Sequence, residues 1–212
     1  MNINAIRRLM PLLLCASLLI VAGCAINIPV STSMKVQNIP PQKIQKNILV
    51  VMSKEQAEKI ILFKKSALAN PFSFEAGKSV SSNLTQAMQY KFAAADFSNE
   101  VPAAGKYDYV LVANIKDAKF DFPFISVADK KVNVYIDYEL FDAKQVKLLQ
   151  VSTDGSSEVQ AATAEKVLFF FPALYSIRGN IEIDRIGNSW DLAVINSITQ
   201  LMAAMDRHFN IK

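Results

Sequence analysis

Between positions 132 and 141, Val132, Val134, Ile136, Tyr138 and Leu140 alternate with Asn133, Tyr135, Asp137, Glu139 and Phe141. Successive side chains of a strand point to opposite faces, so this period of two predicts a β-strand with one buried and one largely exposed face. Asp142, Ala143, Lys144 and Gln145 supply turn residues, and Val146–Thr153 should return as the next antiparallel strand. Upstream, residues 107–122 are rich in Tyr, Val and Phe, which predicts one long strand or a bent pair. Asn47–Met52 is a continuous apolar run of strand length, as expected for a buried central strand. Residues 59–65 fit either a helix end or a further strand.

Two stretches carry a helical period instead. Gly77, Val80, Leu84, Met88 and Phe92 recur at spacings of three or four, which places them on one face of a helix over 73–94. Ser73 is its expected N-cap, and Glu75 suits the first turn. Glycine inside a helix costs about 1 kcal/mol relative to alanine. Gly77 on the buried stripe therefore reads as close packing against a sheet, or else as a surface glycine near a frayed end. Towards the carboxyl end, Val194, Ile198, Leu201, Met205 and Phe209 share one face, with Ser189 placed to cap the helix and Asp191 in its first turn. Two amphipathic helices around antiparallel strands predict an α+β two-layer sandwich, its sheet antiparallel or mixed and both main helices on one face. The sequence has no internal repeat and no low-complexity tract.

The amino terminus follows a different logic. Arg7 and Arg8 precede an apolar run from Leu9 to Ala22, broken only by Pro11 and Ser17, and small residues lead into Cys24. This is the layout of a secretory signal. The run falls short of the ~20 apolar residues that a membrane-spanning helix needs. Val21-Ala22-Gly23-Cys24 resembles the lipobox of bacterial lipoproteins. The resemblance implies cleavage between Gly23 and Cys24, with a diacylglycerol on the Cys24 sulfur and a further acyl chain on its amine. One myristoyl-sized chain holds only marginally, whereas two or more anchor stably. The alternative is an ordinary secretory signal with an incidental cysteine. In lipoproteins an aspartate after the lipidated cysteine favours the inner membrane; here Ala25 stands there, which implies the outer-membrane bilayer, facing the periplasm. The expected organisation is a signal peptide over 1–23, a lipidated lead-in over 24–46 and one α+β domain over 47–212. Pro29, Pro40 and Pro41 keep the lead-in extended, and the alternation of Ile26, Ile28 and Val30 lets part of it lie along the domain as a strand.

Composition narrows the function. The formal net charge is +4, but the leader takes two of the 23 basic residues and none of the 19 acidic ones. With no dense Lys/Arg block, nucleic-acid binding is not expected. Cys15 leaves with the leader and Cys24 is lipidated, so the mature domain keeps no free thiol and no disulfide. His208 is the one histidine, near the apolar stripe of the last helix, where a packed or end-capping role is expected. No metal-ligand spacing, nucleophile elbow, phosphate loop or dinucleotide fingerprint is present. Asp108, Asp117, Asp121, Asp137 and Glu139 lie along predicted strands, and solvated charge is their expected state. No enzyme activity, metal or cofactor is expected beyond the covalent lipid.

One segment stands apart. Residues 167–177 are almost wholly apolar, with Phe169, Phe170, Phe171 and Leu174 around Pro172. Two readings stand: wrapped core, followed by a short hairpin over Ile177–Asp184 about Gly179–Asn180, or an exposed patch that touches a partner or the membrane.

The element order, with Tyr138-Glu139-Leu140-Phe141-Asp142 before the turn, is similar to that of small Gram-negative outer-membrane lipoproteins that assist transport or assembly machines. Examples are the auxiliary lipoproteins of ABC-type lipid transport systems and the lipoprotein partner of the lipopolysaccharide translocon. The resemblance implies a non-enzymatic accessory in envelope assembly, transport or secretion, with an envelope protein as partner. The alternatives are a carrier of lipid or another apolar ligand with the aromatic segment as lid, and a periplasmic hydrolase. Ring-forming lipoproteins of secretion systems use comparable domains, so an oligomer stays open.

Overall fold

The computed structural model describes residues 25–32, 43–64, 71–122, 129–160 and 175–211, of which 175–182 as backbone. In chain order the elements are β1 (Ile26–Ile28), β2 (Ile44–Val51), α1 (Lys54–Ala57), β3 (Ile61–Phe63), β4 (Phe72–Phe74), α2 (Ala76–Lys91), β5 (Phe92–Ser98), β6 (Tyr109–Asp121), β7 (Lys130–Asp142), β8 (Lys147–Val159) and α3 (Tyr175–Phe209). A five-stranded sheet has the order β5-β2-β6-β7-β8, and a three-stranded sheet the order β1-β4-β3.

The larger sheet is mixed. β6, β7 and β8 form an antiparallel meander, whereas β2 runs parallel to both β5 and β6. Parallel neighbours need a crossover, and α1, the small sheet and α2 supply it between β2 and β5. α2 and α3 lie on one face, which makes the two-layer α+β sandwich. Val80, Leu84, Ala87 and Met88 of α2 and Trp190, Val194, Ile198, Leu201 and Met205 of α3 are buried in one core with Val132, Val134, Ile136, Tyr138 and Leu140 of β7. The alternation along β7 is thus the alternation between core and far face. On that far face Leu49, Val51 and Val110 form a smaller cluster with Tyr107, Val112 and Phe141.

β2 stops opposite Val112, which leaves the next part of β6 without a strand on that side, while β7 continues along the other. The α1 turn takes over: Gln56 Oε1 accepts from Ile115 N at 3.0 Å, and Lys59 Nζ donates to Ile115 O at 2.7 Å. The backbone groups at the sheet's step are therefore satisfied by side chains.

Several expectations need correction. Residues 92–94 leave the helix, because α2 ends at Lys91 and Phe92 opens β5. Phe92 is buried in either geometry, so periodicity could not separate them. Ser73 is no N-cap: it sits in β4, opposite Asn27 and Leu62, and Glu75 holds the cap position without a side-chain cap hydrogen bond. Gly77 does mark close packing, but against α1 rather than a sheet. A Cβ there would stand 2.2 Å from the Gln56 carbonyl oxygen.

The largest correction concerns the carboxyl-terminal helix. It begins at Tyr175, so the proposed hairpin about Gly179–Asn180 is helical, and Ser189 and Asp191 lie well inside α3. Small and polar residues inside α3 are used here for contact. Gly187 faces the carbonyl of Pro29, where a Cβ would lie 2.5 Å away. Ser189 Oγ donates to Lys130 O at 3.0 Å. β8 likewise runs past Thr153 through Gly155, over which α3 closes.

Candidate functional site

Gly23, Cys24, Phe169, Phe170, Phe171 and Leu174 lie outside the described residues. The site that the fold builds is the ground onto which Cys24 is joined. A single residue, Ala25, separates Cys24 from β1, and β1 pairs in parallel with β4, Ile26 opposite Phe72 and Ile28 opposite Phe74. Ile26 N donates to Pro71 O at 2.7 Å, and Ile28 is 1% exposed.

Past β1 the backbone is held by side chains from both long helices. Ser31 N donates to Asp191, at 2.8 Å from Oδ1 and 2.9 Å from Oδ2. Ser31 O accepts from Asn83 Nδ2 at 3.0 Å and Ser79 Oγ at 3.3 Å. Thr32 O accepts from Ser82 Oγ at 2.7 Å and from Gln86 Nε2. Behind this row, Trp190 Nε1 donates to Ser79 Oγ at 3.2 Å. Burial pushes the Asp191 carboxyl up to about 6, against the opposing pull of the Ser31 amide. Sequence reasoning missed this clamp, yet a signal was there. Ser79, Ser82, Asn83 and Gln86 repeat at i, i+3, i+4 and i+7, a second stripe beside the apolar one, and polar.

The clamp begins at one end of the molecule. There Phe63 and Phe72 face each other across β3 and β4, and Phe63 packs 5.1 Å from both Phe120 and Phe122. The larger sheet ends at the same side with Asp121 opposite Lys131 and Lys130 opposite Val159. Arg185 Nη2 closes α3 onto that end by donating to Val159 O at 3.1 Å.

The strand carboxylates sit apart from the clamp, as surface charges with local partners. Asp108 accepts from Asn47 N at 2.9 Å and Lys46 Nζ at 3.0 Å, which hold its carboxyl below the usual range. Asp137 accepts from Ser152 Oγ at 2.7 Å, pairs with Lys116 at 3.1 Å and is lowered likewise. Glu139 pairs with Lys147 at 2.7 Å, Asp117 accepts from Ala118 N at 2.8 Å, and Asp121 is exposed at the strand end. His208 is exposed in the last turn of α3, its ring 5.0 Å from Phe209. Among the described residues no group of three or more His, Cys, Asp and Glu could hold a metal, and no helix is long and apolar enough to cross a membrane.

Two further places bear on ligand binding. Between helices and sheet, where an apolar ligand would lie, stand the buried core side chains named above. An open cleft of about 380 Å³ lies between the α1 turn, the start of α2 and the end of β5, with Ile60 and Phe97 beside Glu58, Lys59, Glu75 and Lys78. Ile60 is 60% and Phe97 40% exposed. Its mixed lining suits contact with another surface better than capture of a lipid chain.

A mixed sheet under two helices defines an α+β domain whose overall fold is seen in another solved protein. A Xanthomonas campestris protein of family DUF330 shares it with a TM-score of 0.51 at 9% identity, over 87% of this chain and 99% of that one. A minor lipoprotein from Acinetobacter baumannii aligns over 76% of this chain and 96% of its own at 8% identity, with a TM-score of 0.33. The PelC dodecamer protein from Paraburkholderia phytofirmans aligns over 74% and 93% at 12% identity, with a TM-score of 0.31. No family model matches the sequence, and neither does any curated protein.

Proposed function

We propose that this chain is a lipid-anchored envelope protein, a non-enzymatic accessory that holds a protein partner at the membrane in envelope assembly, transport or secretion. The observation that carries this reading is the junction itself: strand pairing starts two residues after the lipobox cysteine, and two helices devote side chains to holding the backbone at Ser31 and Thr32. In a domain that merely trailed from its anchor, such a lead-in would not need fixing. Ala25 after Cys24 favours the outer membrane, with the domain on the periplasmic side. The exposed apolar side chains at Ile60, Leu62 and Phe97 offer a surface for a partner, and Phe169, Phe170, Phe171 and Leu174 add a second candidate contact.

Replacing Cys24 tests the anchor. Cys24→Ala should abolish incorporation of labelled fatty acid and release the protein from the membrane fraction, and unchanged membrane attachment would refute the lipid anchor. In-cell crosslinking from Leu62 or Phe97 in the parent protein should capture one envelope protein, and that capture should fall in the Cys24→Ala strain.

A further inference from the structure

We infer that the end of the domain bearing Ile26, Phe63, Phe72 and Phe120 faces the phospholipid bilayer and is held against its headgroups by the shortness of the anchor. The inference rests on lipidation of Cys24. An extended chain advances at most about 3.6 Å per residue, so the two steps from Cys24 to Ile26 span about 7 Å at most. Acyl chains on Cys24 enter the bilayer, and the first paired residue of the folded domain therefore lies at the headgroup layer. The described residues that follow, up to Thr32, are fixed to the domain. Ile28 is buried, Ser31 is tied to Asp191 and α2, and Thr32 to α2.

The orientation of the whole molecule follows from the register of its strands. Phe63 lies opposite Phe72, and Phe72 opposite Ile26, so the three share one end of the small sheet. Phe120, 5.1 Å from Phe63, brings the end of β6 to the same place. Phe63 and Phe120 are only partly buried, and Lys64 and Lys119 beside them are exposed. Aromatic rings with a cationic fringe are what a membrane interface accepts. β6 and β7 then lead away from the bilayer for 13 residues each, roughly 40 Å at a strand's rise. At the far end the turn between β7 and β8 presents Val146, 56% exposed.

The test uses the mature lipidated protein in vesicles of phosphatidylethanolamine and phosphatidylglycerol that contain a headgroup-labelled nitroxide lipid. With Cys24 acylated, a cysteine introduced by Lys64→Cys, Lys119→Cys or Val146→Cys is the only thiol to take a fluorophore. Fluorescence should be quenched at positions 64 and 119 and unaffected at 146. Equal quenching at all three positions, or none at any, would overturn the orientation. Mass spectrometry of the amino-terminal peptide from the same preparation separates the two levels: acylated Cys24 with the wrong quenching pattern defeats the orientation alone. A peptide without acyl chains defeats the anchor and the orientation together.

Discussion

Asp191 is a carboxylate placed inside a helix to hold a backbone amide more than a hundred positions earlier in the chain, and the burial that makes the contact specific also makes the charge costly. Its carboxyl is raised from an ordinary value of 3.8 to about 6, first by desolvation, with the Ser31 amide pulling the other way. Between those values the folded state binds more protons than the unfolded one, so stability falls as pH rises from about 4 to about 6, and the penalty is complete above that. Asp191→Asn keeps an acceptor for Ser31 N and removes the titration. The variant should melt above the parent at pH 8 and together with it at pH 4. An equal difference at both values, read by thermal denaturation, would show that charge burial is not the cause. Two further buried polar side chains are paired across the core. Lys91, 2% exposed, meets Asp206 from α3, and burial lowers its amine. Tyr138 shares a hydrogen-bonded set with Ser197 and Thr153 beneath the same helix.

At the scale of elements, α3 decides the architecture, and glycine lets it do so. A Cβ on Gly155 would lie 2.1 Å from the carbonyl of Ala193 and 2.7 Å from Ser197, so β8 and α3 meet through bare backbone. Gly155→Ala should therefore destabilise the domain by about 1–3 kcal/mol, the usual cost of overpacking, as measured by urea denaturation. A neutral result would mean that helix and strand are not in register as described. The same contact explains what was legible in the sequence. β7 could be read because its two faces have different solvents, core and water. The apolar stripes of α2 and α3 were legible for that reason as well, whereas β6 was read from its Tyr, Val and Phe content and the β7–β8 turn from its own residues. β5 was hidden behind Phe92, which suits both a helix stripe and a strand start. The first half of α3 was hidden because Gly187 and Ser189 serve neighbours distant in sequence, and local propensity cannot reveal those. For the site, the alternation of Ile26 and Ile28 pointed to a strand, but its partner β4 and its clamp on α2 and α3 are products of the tertiary fold.

At the scale of the molecule, the two sheets are joined through aromatic packing around the chain's one tryptophan. Trp190 stands 5.4 Å from Phe74 of the small sheet and 6.2 Å from Phe120 of the large one. α3 also touches β8, β7, α2 and β1. Among the described residues the two long helices and both sheets share one core, so unfolding should be a single cooperative step. Trp190 fluorescence and far-ultraviolet circular dichroism should then change at the same denaturant concentration, and an earlier fluorescence change would reveal separate melting of the small sheet. The clamp on the amino-terminal segment also sets an order of events during synthesis. Ser31 waits for Asp191, 160 positions later, and at about 5–20 residues per second of synthesis that interval is on the order of ten seconds. β4 is made early enough to pair with β1 within that interval, whereas the clamp on Ser31 has to wait for α3. On the proposed anchoring, the segment beyond Cys24 therefore stays unclamped until α3 arrives and closes it.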